Sequence, residues 1–344
     1  ITMSISNSTT AKPGSIKYPE SRRVDQVDNY HGTEVADPYR WLEEDVRTSD
    51  EVAGWVEAEN EVTRAYLDQL PQRDAIIDRL TELWNYAKYG TPYRMGGHYF
   101  FNKNDGLQNQ WVLHVADSYD ADGEVLLDPN TWSDDGTIAL ADYEPSEDGR
   151  YVAYQRSEAG SDWRTIRVLN LESREHLDDV LQWVRFSPIA WSKDSRGFYY
   201  NRYAEPAEGE EHQSVALNQM VYYHEVGTPQ EQDRLVYRTP DQPEWHFAVT
   251  PSDDGQFLWL VIQKSTDDKN HLYYRVANDP AAEWQPLIED FDNQFEPVAS
   301  DGRRVFLITD YEAPTKRVVA MSLDNPGRDA LDEIIPASDA TLEA

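Results

Sequence analysis

The chain has 344 residues, of which 39% are hydrophobic and 12% aromatic, and it contains no cysteine. This aromatic content favours a folded, strand-rich protein over a disordered one, and the lack of cysteine excludes disulfides, thiolate nucleophiles and Cys-ligated metals. The net charge of −33 argues against nucleic-acid binding, because it would repel phosphate backbones. No stretch reaches the roughly 18 apolar residues of a membrane span, so no membrane association is expected.

The acidic residues are spread along the whole chain, and only 8 of the 31 basic residues are lysines. This pattern indicates an acidic surface adapted to high ionic strength, where salt screens the repulsion between like charges. An ordinary acidic protein is the alternative. Without cysteine or a visible signal peptide a cytoplasmic location is expected, and a processed periplasmic protein is the alternative.

Residues 1–30 are predicted to form a polar N-terminal arm. Residues 31–90 form the one segment with helical periodicity. Asp37-Pro38 opens a short helix over YRWLEE, and Thr48-Ser-Asp-Glu51 resembles a capping box. Two amphipathic helices follow, and their apolar stripes are Val52, Trp55, Val56, Val62, Ala65 and Tyr66 in the first and Ile76, Ile77, Leu80, Leu83 and Trp84 in the second.

Residues 91–344 show short alternating strands separated by turns. A polar turn precedes a strand five times, most clearly in SEDGRYVAY at 146–154 and SDDGQFLWL at 252–260. The turns lie 52, 46, 60 and 47 positions apart, counted at Gly97, Gly149, Ser195, Gly255 and Gly302. A period of about 50 residues in an all-β chain predicts a β-propeller, in which each sheet buries its faces against its neighbours. Two β-sandwiches with similar turns are the alternative.

The five repeats predict about five blades of roughly four strands each. The last residues, DEIIPASDATLEA, do not resemble a strand that would close a ring of blades. We therefore expect a mainly β protein with a short helical segment before a truncated propeller.

No catalytic or metal-binding motif stands out. The chain has no G-x-S-x-G nucleophile elbow, P-loop, dinucleotide fingerprint or H-E-x-x-H. Its 8 histidines are scattered without metal-ligand spacing, and the Asp-Asp-Gly runs at 134–136 and 253–255 are interpreted as turns rather than calcium loops. The residues alone predict no catalytic group, no metal and no cofactor in this chain.

One family resemblance is specific. His31-Gly32 followed by the run DPYRWLE at 37–43 resembles the entry motif of the prolyl oligopeptidase family of serine peptidases. The runs GLQNQ at 106–110, LDPN at 127–130 and GSDW at 160–163 are similar to its proline-specific members rather than to its oligopeptidase B relatives. The resemblance covers nearly the whole chain from Tyr18 onward.

The resemblance implies a seven-bladed propeller that caps an α/β-hydrolase domain carrying a Ser-Asp-His triad. The triad would lie in a C-terminal part that this sequence does not contain, and the helical segment at 31–90 would pack on the hydrolase domain. The implied reaction is cleavage of short peptides on the carboxyl side of proline, with the propeller gating access by size. The implied partners are therefore proline-containing peptides and the hydrolase domain, and a monomer is favoured.

Three substrate-binding residues are implied by the resemblance. Phe186, in VRFSP, matches an aromatic residue of the pocket for residues upstream of the proline, although a core aromatic is the alternative. Asp162, in GSDW, matches an acid that faces a substrate-binding arginine of the hydrolase domain. Gln263 stands where the animal enzymes carry an arginine, while Thr266 and His246 replace a cysteine and a methionine.

Two other functions stay open. A peptidase of the oligopeptidase B type would cleave after basic residues, and the pocket that decides this lies outside the chain. A free-standing propeller would act as an interaction scaffold. The reading frame beyond Ala344 separates these hypotheses, because a G-x-S-x-G roughly two hundred residues further on supports the enzyme.

Overall fold

The computed structural model describes residues 16–207 and 215–343. The chain divides into two compact units, the first ending at Asn85 and the second beginning at Tyr86. The first half of the predicted arm, residues 1–15, lies outside the described residues.

The first unit opens with a β-hairpin made of β1 (Val27–Tyr30) and β2 (Thr33–Ala36). Its turn residues His31 and Gly32 have φ values of +54° and +90°. Positive φ at both positions is what a two-residue hairpin turn of type I′ requires. This hairpin was not predicted, and it spans the expected boundary between arm and helical segment.

The two predicted helices are present as α1 (Asp50–Leu67) and α2 (Arg73–Trp84). The N-cap of α1 is Ser49, whose Oγ accepts a hydrogen bond from the Val52 N–H at 3.4 Å, so the cap lies one residue later than the predicted box. The short helix expected over YRWLEE is a single 3₁₀ turn, Arg40–Glu43.

The helices bury little of their apolar stripes. Val52 is buried in α1, whereas α2 has no buried residue. Neither helix is long and apolar enough to cross a membrane, as judged from the described part of the chain. The apolar side chains of α2 that remain exposed are Ile76, Ile77, Leu80, Leu83 and Trp84.

The second unit consists of four antiparallel sheets, and the eight-stranded one among them contains two blades that are joined where Val184 pairs with Arg202. We name the five blades I to V in chain order. Blade I contains β3 (Lys88–Tyr89), β4 (Tyr93–Met95), β5 (His98–Asn104), β6 (Val112–Ala116) and β7 (Glu124–Leu127). Blade II contains β8 (Ile138–Pro145), β9 (Tyr151–Glu158), β10 (Arg164–Asn170) and β11 (His176–Val184). Blade III contains β12 (Ala190–Trp191), β13 (Gly197–Arg202), β14 (Met220–Glu225) and β15 (Arg234–Tyr237). Blade IV contains β16 (Trp245–Pro251), β17 (Phe257–Lys264), β18 (Asn270–Val276) and β19 (Gln285–Ile288), and blade V contains β20 (Phe295–Asp301), β21 (Arg304–Thr309), β22 (Arg317–Ser322) and β23 (Asp332–Ile335).

Four hydrophobic clusters form the core, and each lies between two consecutive blades. The cluster between blades I and II, for example, packs Phe100 and Leu113 against Val152 and Tyr154. Each sheet therefore buries its faces against its neighbours, which is the packing of a β-propeller. The predicted fold class is confirmed.

The repeated turn has a physical basis in three of its five copies. In SEDG the Ser146 hydroxyl donates to Asp148 Oδ1 at 2.8 Å and accepts from the Tyr151 N–H at 3.0 Å, while Gly149 has a φ of +71°. The same bond from serine to aspartate recurs in the turns that begin at Ser192 and Ser252, at 2.7 and 2.8 Å. Serine and aspartate thus fix the turn from blade strand one to strand two.

Neighbouring turns also contact one another. The Asp148 N–H donates to Ser195 Oγ at 3.3 Å, joining blades II and III. The Asp253 N–H donates to Ser300 Oγ at 2.9 Å, joining blades IV and V. A methyl group built on Gly149 would lie 2.2 Å from the carbonyl oxygen of Gly96 in blade I. The repeat therefore serves packing between blades as well as chain reversal.

Candidate functional site

The blades have two distinct edges. The repeated turns and the loops from strand three to strand four lie at one edge, which we call the turn edge. The loops from strand two to strand three and the links between blades lie at the other, which we call the loop edge. Asp162 follows β9, Phe186 follows β11, and Gln263 is near the end of β17, so the three predicted site residues share the loop edge.

Phe186 is a surface side chain at this edge. Its ring is 46% exposed, so it is not a core aromatic. Its φ is +50°, a left-handed backbone conformation that costs a non-glycine residue about 1–2 kcal/mol. Strained backbone of this kind is concentrated at functional sites. The exposed ring and the strained backbone together single out this position.

Two side chains hold the Phe186 ring. The Arg185 guanidinium carbon lies 4.9 Å from the ring centroid, at cation–π distance. The His246 ring stacks on it with centroids 6.2 Å apart and planes 16° apart. Burial lowers the pKa of His246, which favours the neutral imidazole at neutral pH. The aromatic surface is therefore a stack of two uncharged rings beside a guanidinium.

Asp162 pairs with Arg185 within the same chain. The Arg185 Nη2 donates to Asp162 Oδ2 at 3.0 Å, and the two side chains are 17% and 58% exposed. The same guanidinium lies 5.4 Å from the Trp163 ring. An ion pair this exposed contributes at most about 1 kcal/mol, so its main effect is to orient Arg185 beside Phe186. The resemblance implied a different partner for Asp162, an arginine of the hydrolase domain.

Gln263 joins this surface through His246. The two residues are cross-strand partners in the β16–β17 ladder, and Gln263 is half-buried. Thr266 lies on the exposed loop after β17. The loop-edge cluster, defined as Asp162, Arg185, Phe186, His246 and Gln263, is thus assembled from blades II and IV.

Arg185 was missed in the sequence as a member of this cluster. Its ion-pair partner Asp162 is separated from it by 23 positions, and no local motif links the two residues. The only local signal is its position directly before Phe186.

Within the described ranges no serine hydroxyl is hydrogen-bonded to a histidine, and no three His, Asp or Glu side chains are placed to hold a metal ion. The cluster offers an aromatic face, a guanidinium and an amide, which suit the recognition of a peptide rather than a bond-breaking step.

Five blades of antiparallel strands that pack face against face define a β-propeller. The family model described as "Prolyl oligopeptidase, N-terminal beta-propeller domain" matches residues 19–344. The chain belongs to the prolyl oligopeptidase family.

Individual relatives agree with this assignment. The prolyl endopeptidase of Elizabethkingia meningoseptica is 37% identical over 328 residues, which cover 95% of this chain and 46% of the relative. The dual function macrocyclase-peptidase POPB of Galerina marginata is 33% identical over 368 residues, covering 98% and 49%. This chain also superposes, with a TM-score of 0.84 and 30% identity, on a solved structure of prolyl oligopeptidase B from Galerina marginata that is bound to a 35mer hydrolysis and macrocyclization substrate. The superposition covers 95% of this chain and 49% of the chain in that structure. The chain spans about half the length of these relatives.

Proposed function

We propose that the chain is the propeller part of a serine endopeptidase that cleaves short peptides on the carboxyl side of proline. The observation that carries this proposal is the exposed, strained Phe186 of the loop-edge cluster in a chain that matches the propeller domain over residues 19–344. Relatives such as the prolyl endopeptidase of Elizabethkingia meningoseptica are named for proline, which favours this specificity over cleavage after basic residues.

In this proposal the chain recognises the substrate and restricts access to it. The catalytic serine, its histidine base and the oxyanion hole belong to an α/β-hydrolase domain outside these 344 residues. The propeller admits flexible peptides and excludes folded proteins, while Phe186 provides apolar contact for a residue upstream of the proline. The isolated chain is accordingly inactive.

The hydrolase domain is also the proposed occupant of the apolar face of α2. This face is formed by Ile76, Ile77, Leu80, Leu83 and Trp84, which are 43–63% exposed. Exposed apolar patches of this kind mark protein contact sites. The relatives are about twice as long as this chain, which leaves room for a domain that covers the face.

Phe186→Ala in the complete protein is expected to raise KM for a proline-containing peptide about 5- to 150-fold, because about 1–3 kcal/mol of apolar contact is lost. Tyr119→Ala is the matched control, since Tyr119 is a 71% exposed aromatic at the turn edge. Steady-state kinetics and thermal midpoints are measured together. A Phe186→Ala variant that loses stability yet keeps the KM of the control would show that the ring is structural.

Gln263 is expected to set the charge of the upstream pocket. Gln263→Ala should change kcat/KM little, because a neutral side chain is replaced by another neutral one. Gln263→Arg should favour peptides with an acidic residue upstream of the proline, since it adds a positive charge. The measurement compares kcat/KM for acidic and neutral peptides. An unchanged ratio in Gln263→Arg would place this residue outside the pocket.

A further inference from the structure

A pair of tryptophans lies beside the loop-edge cluster. Trp163 is on the loop between β9 and β10 and Trp183 is near the end of β11, so both belong to the loop edge of blade II. Their rings meet edge to face, with centroids 5.7 Å apart and planes at 89°. Both side chains are half-buried, which leaves part of each accessible. We call this pair the tryptophan site.

An irregularity of the backbone places Trp183. In the β10–β11 ladder the register shifts between the pairs Ile166–Leu181 and Arg164–Val184, so Trp183 lies in a β-bulge. Bulges re-aim side chains and are frequent beside functional sites. The φ of Trp183 is +60°, a left-handed conformation that is unfavourable for a residue other than glycine. The fold thus holds this indole in a strained position, as it does the ring of Phe186.

Other side chains hold Trp163. The ring of Tyr203, which is only 4% exposed, packs against it edge-on with centroids 6.0 Å apart and planes at 84°. The Tyr203 hydroxyl accepts a hydrogen bond from Gln219 Nε2 at 3.2 Å. The Arg185 guanidinium carbon lies 5.4 Å from the Trp163 centroid. A ring held in this way loses little conformational freedom when a ligand binds to it.

The tryptophan site is continuous with the surface around Phe186. The Arg185 guanidinium carbon is 4.9 Å from the Phe186 centroid and 5.4 Å from the Trp163 centroid, so these two centroids are at most about 10 Å apart. The residue before a proline is held in an extended or polyproline conformation, which rises about 3.1–3.4 Å per residue. Three residues of such a peptide therefore span the distance between the two aromatic surfaces.

The chemistry of the tryptophan site suits an apolar side chain. Its two indole rings offer a large apolar surface and no charge. The nearest charges described above, those of Asp162 and Arg185, are paired with each other at 3.0 Å. The site therefore has no unbalanced charge that would select an acidic or a basic residue.

We infer that Trp163 and Trp183 form a second peptide subsite, which takes an apolar side chain about three positions upstream of the residue that contacts Phe186. This inference rests on the proposed function, because the peptide is first placed against Phe186. In that function the cleaved bond is attacked by residues outside this chain. The part of the peptide that continues along the propeller is therefore its upstream part.

The test compares three reporter peptides with the complete protein. All share the residues next to the cleaved proline, while one has no extension, one is extended upstream by three leucines and one by three glycines. Leucine is used because a further proline would add a cleavage site. We expect kcat/KM to be about 5- to 30-fold higher for the leucine extension than for the glycine extension, the factor that partial burial of one leucine provides.

Trp183→Ala should remove this preference and bring the ratio of the two kcat/KM values to within about twofold of one. Trp183→Phe should restore most of the ratio, because it keeps an aromatic ring at the same position. Trp183 is changed rather than Trp163, since Trp163 also contacts Arg185 beside Phe186. A ratio of two peptides measured on the same sample is unaffected by a loss of folded protein.

The matched control is Trp284→Ala, because Trp284 is also half-buried and meets Tyr237 edge-on at 6.1 Å but lies on the turn edge after β18. It should keep the full ratio. A ratio near one in the unmodified protein, or equal ratios in Trp183→Ala and Trp284→Ala, would overturn the inference and leave the proposed function standing. A complete protein that cleaves none of the peptides would contradict the proposed function, and this inference with it.

Discussion

Gly149→Ala is expected to lower the free energy of unfolding by about 4 kcal/mol or more, a loss seen only for severe structural conflicts. The φ of +71° alone costs an alanine about 1–2 kcal/mol. The steric conflict costs more, because the new methyl group would lie 2.2 Å from the carbonyl oxygen of Gly96 in the preceding blade. Backbone atoms on both sides leave no flexible side chain to move aside.

Gly160→Ala separates the backbone strain from the steric conflict. Gly160 also lies in blade II and has a φ of +72°, but a methyl group there would have no described atom within 4 Å. We expect Gly160→Ala to lower the free energy of unfolding by only about 1–2 kcal/mol, because that is what the left-handed backbone costs an alanine. Urea unfolding, monitored by tryptophan fluorescence, gives the free energy of unfolding of each variant. Equal losses in the two variants would contradict the close contact between the turns of blades I and II.

His224 is expected to make the stability of the propeller decline on the alkaline side. Its Nε2 lies 2.8 Å from Asp179 Oδ1 of blade II and its Nδ1 lies 2.7 Å from Asp233 Oδ1, with all three side chains fully buried. Only the imidazolium can donate from both nitrogens. Burial alone would lower the pKa of His224, but the two carboxylates outweigh burial and raise it to about 9.

The direction of the pH effect follows from this raised pKa. The folded state binds the proton more tightly than the unfolded state, whose histidine has a pKa of about 6.5. The contribution of protonated His224 to the free energy of unfolding is therefore fully present below about pH 6.5. It is lost as the pH rises through about 9, and the total loss is about 3 kcal/mol. His224→Gln should lose about 3–5 kcal/mol at pH 6, because it leaves buried carboxylates unpaired.

The measurement is the free energy of unfolding of both proteins between pH 6 and pH 9.5. The difference between the unmodified chain and His224→Gln should shrink across this range, while His98→Gln, at a partly exposed histidine, should follow the unmodified chain. A difference that stays constant with pH would mean that His224 is buried in its neutral form.

Local patterns in the sequence predicted the repeats well. Ser146 and Asp148 contact each other across two positions, so their turn is encoded within one tetrapeptide and recurs wherever that tetrapeptide does. The amphipathic stripe of α2 similarly located the helix at Arg73–Trp84. The hairpin around His31 was missed because its strands are mostly exposed and lack an apolar alternation.

Contacts between blades could not be predicted in the same way. Asp179, His224 and Asp233 come from three separate segments, and nothing in an acidic chain distinguishes these two aspartates from the others. The partner of Arg185 is likewise set by how the loops of one blade fold over its edge. Phe186 was located only by family resemblance, and its exposure and left-handed backbone are known from the structure alone.

We propose that this chain recognises peptides while the hydrolysing residues lie outside it. A fluorophosphonate that labels activated serines and a proline-containing reporter peptide are applied to the 344-residue chain and to any longer protein that its reading frame encodes. We expect no labelling and no cleavage by the 344-residue chain, and one labelled serine with cleavage after proline in the longer protein. Stoichiometric labelling of a serine within the 344 residues, or a longer protein that neither labels nor cleaves, would contradict it.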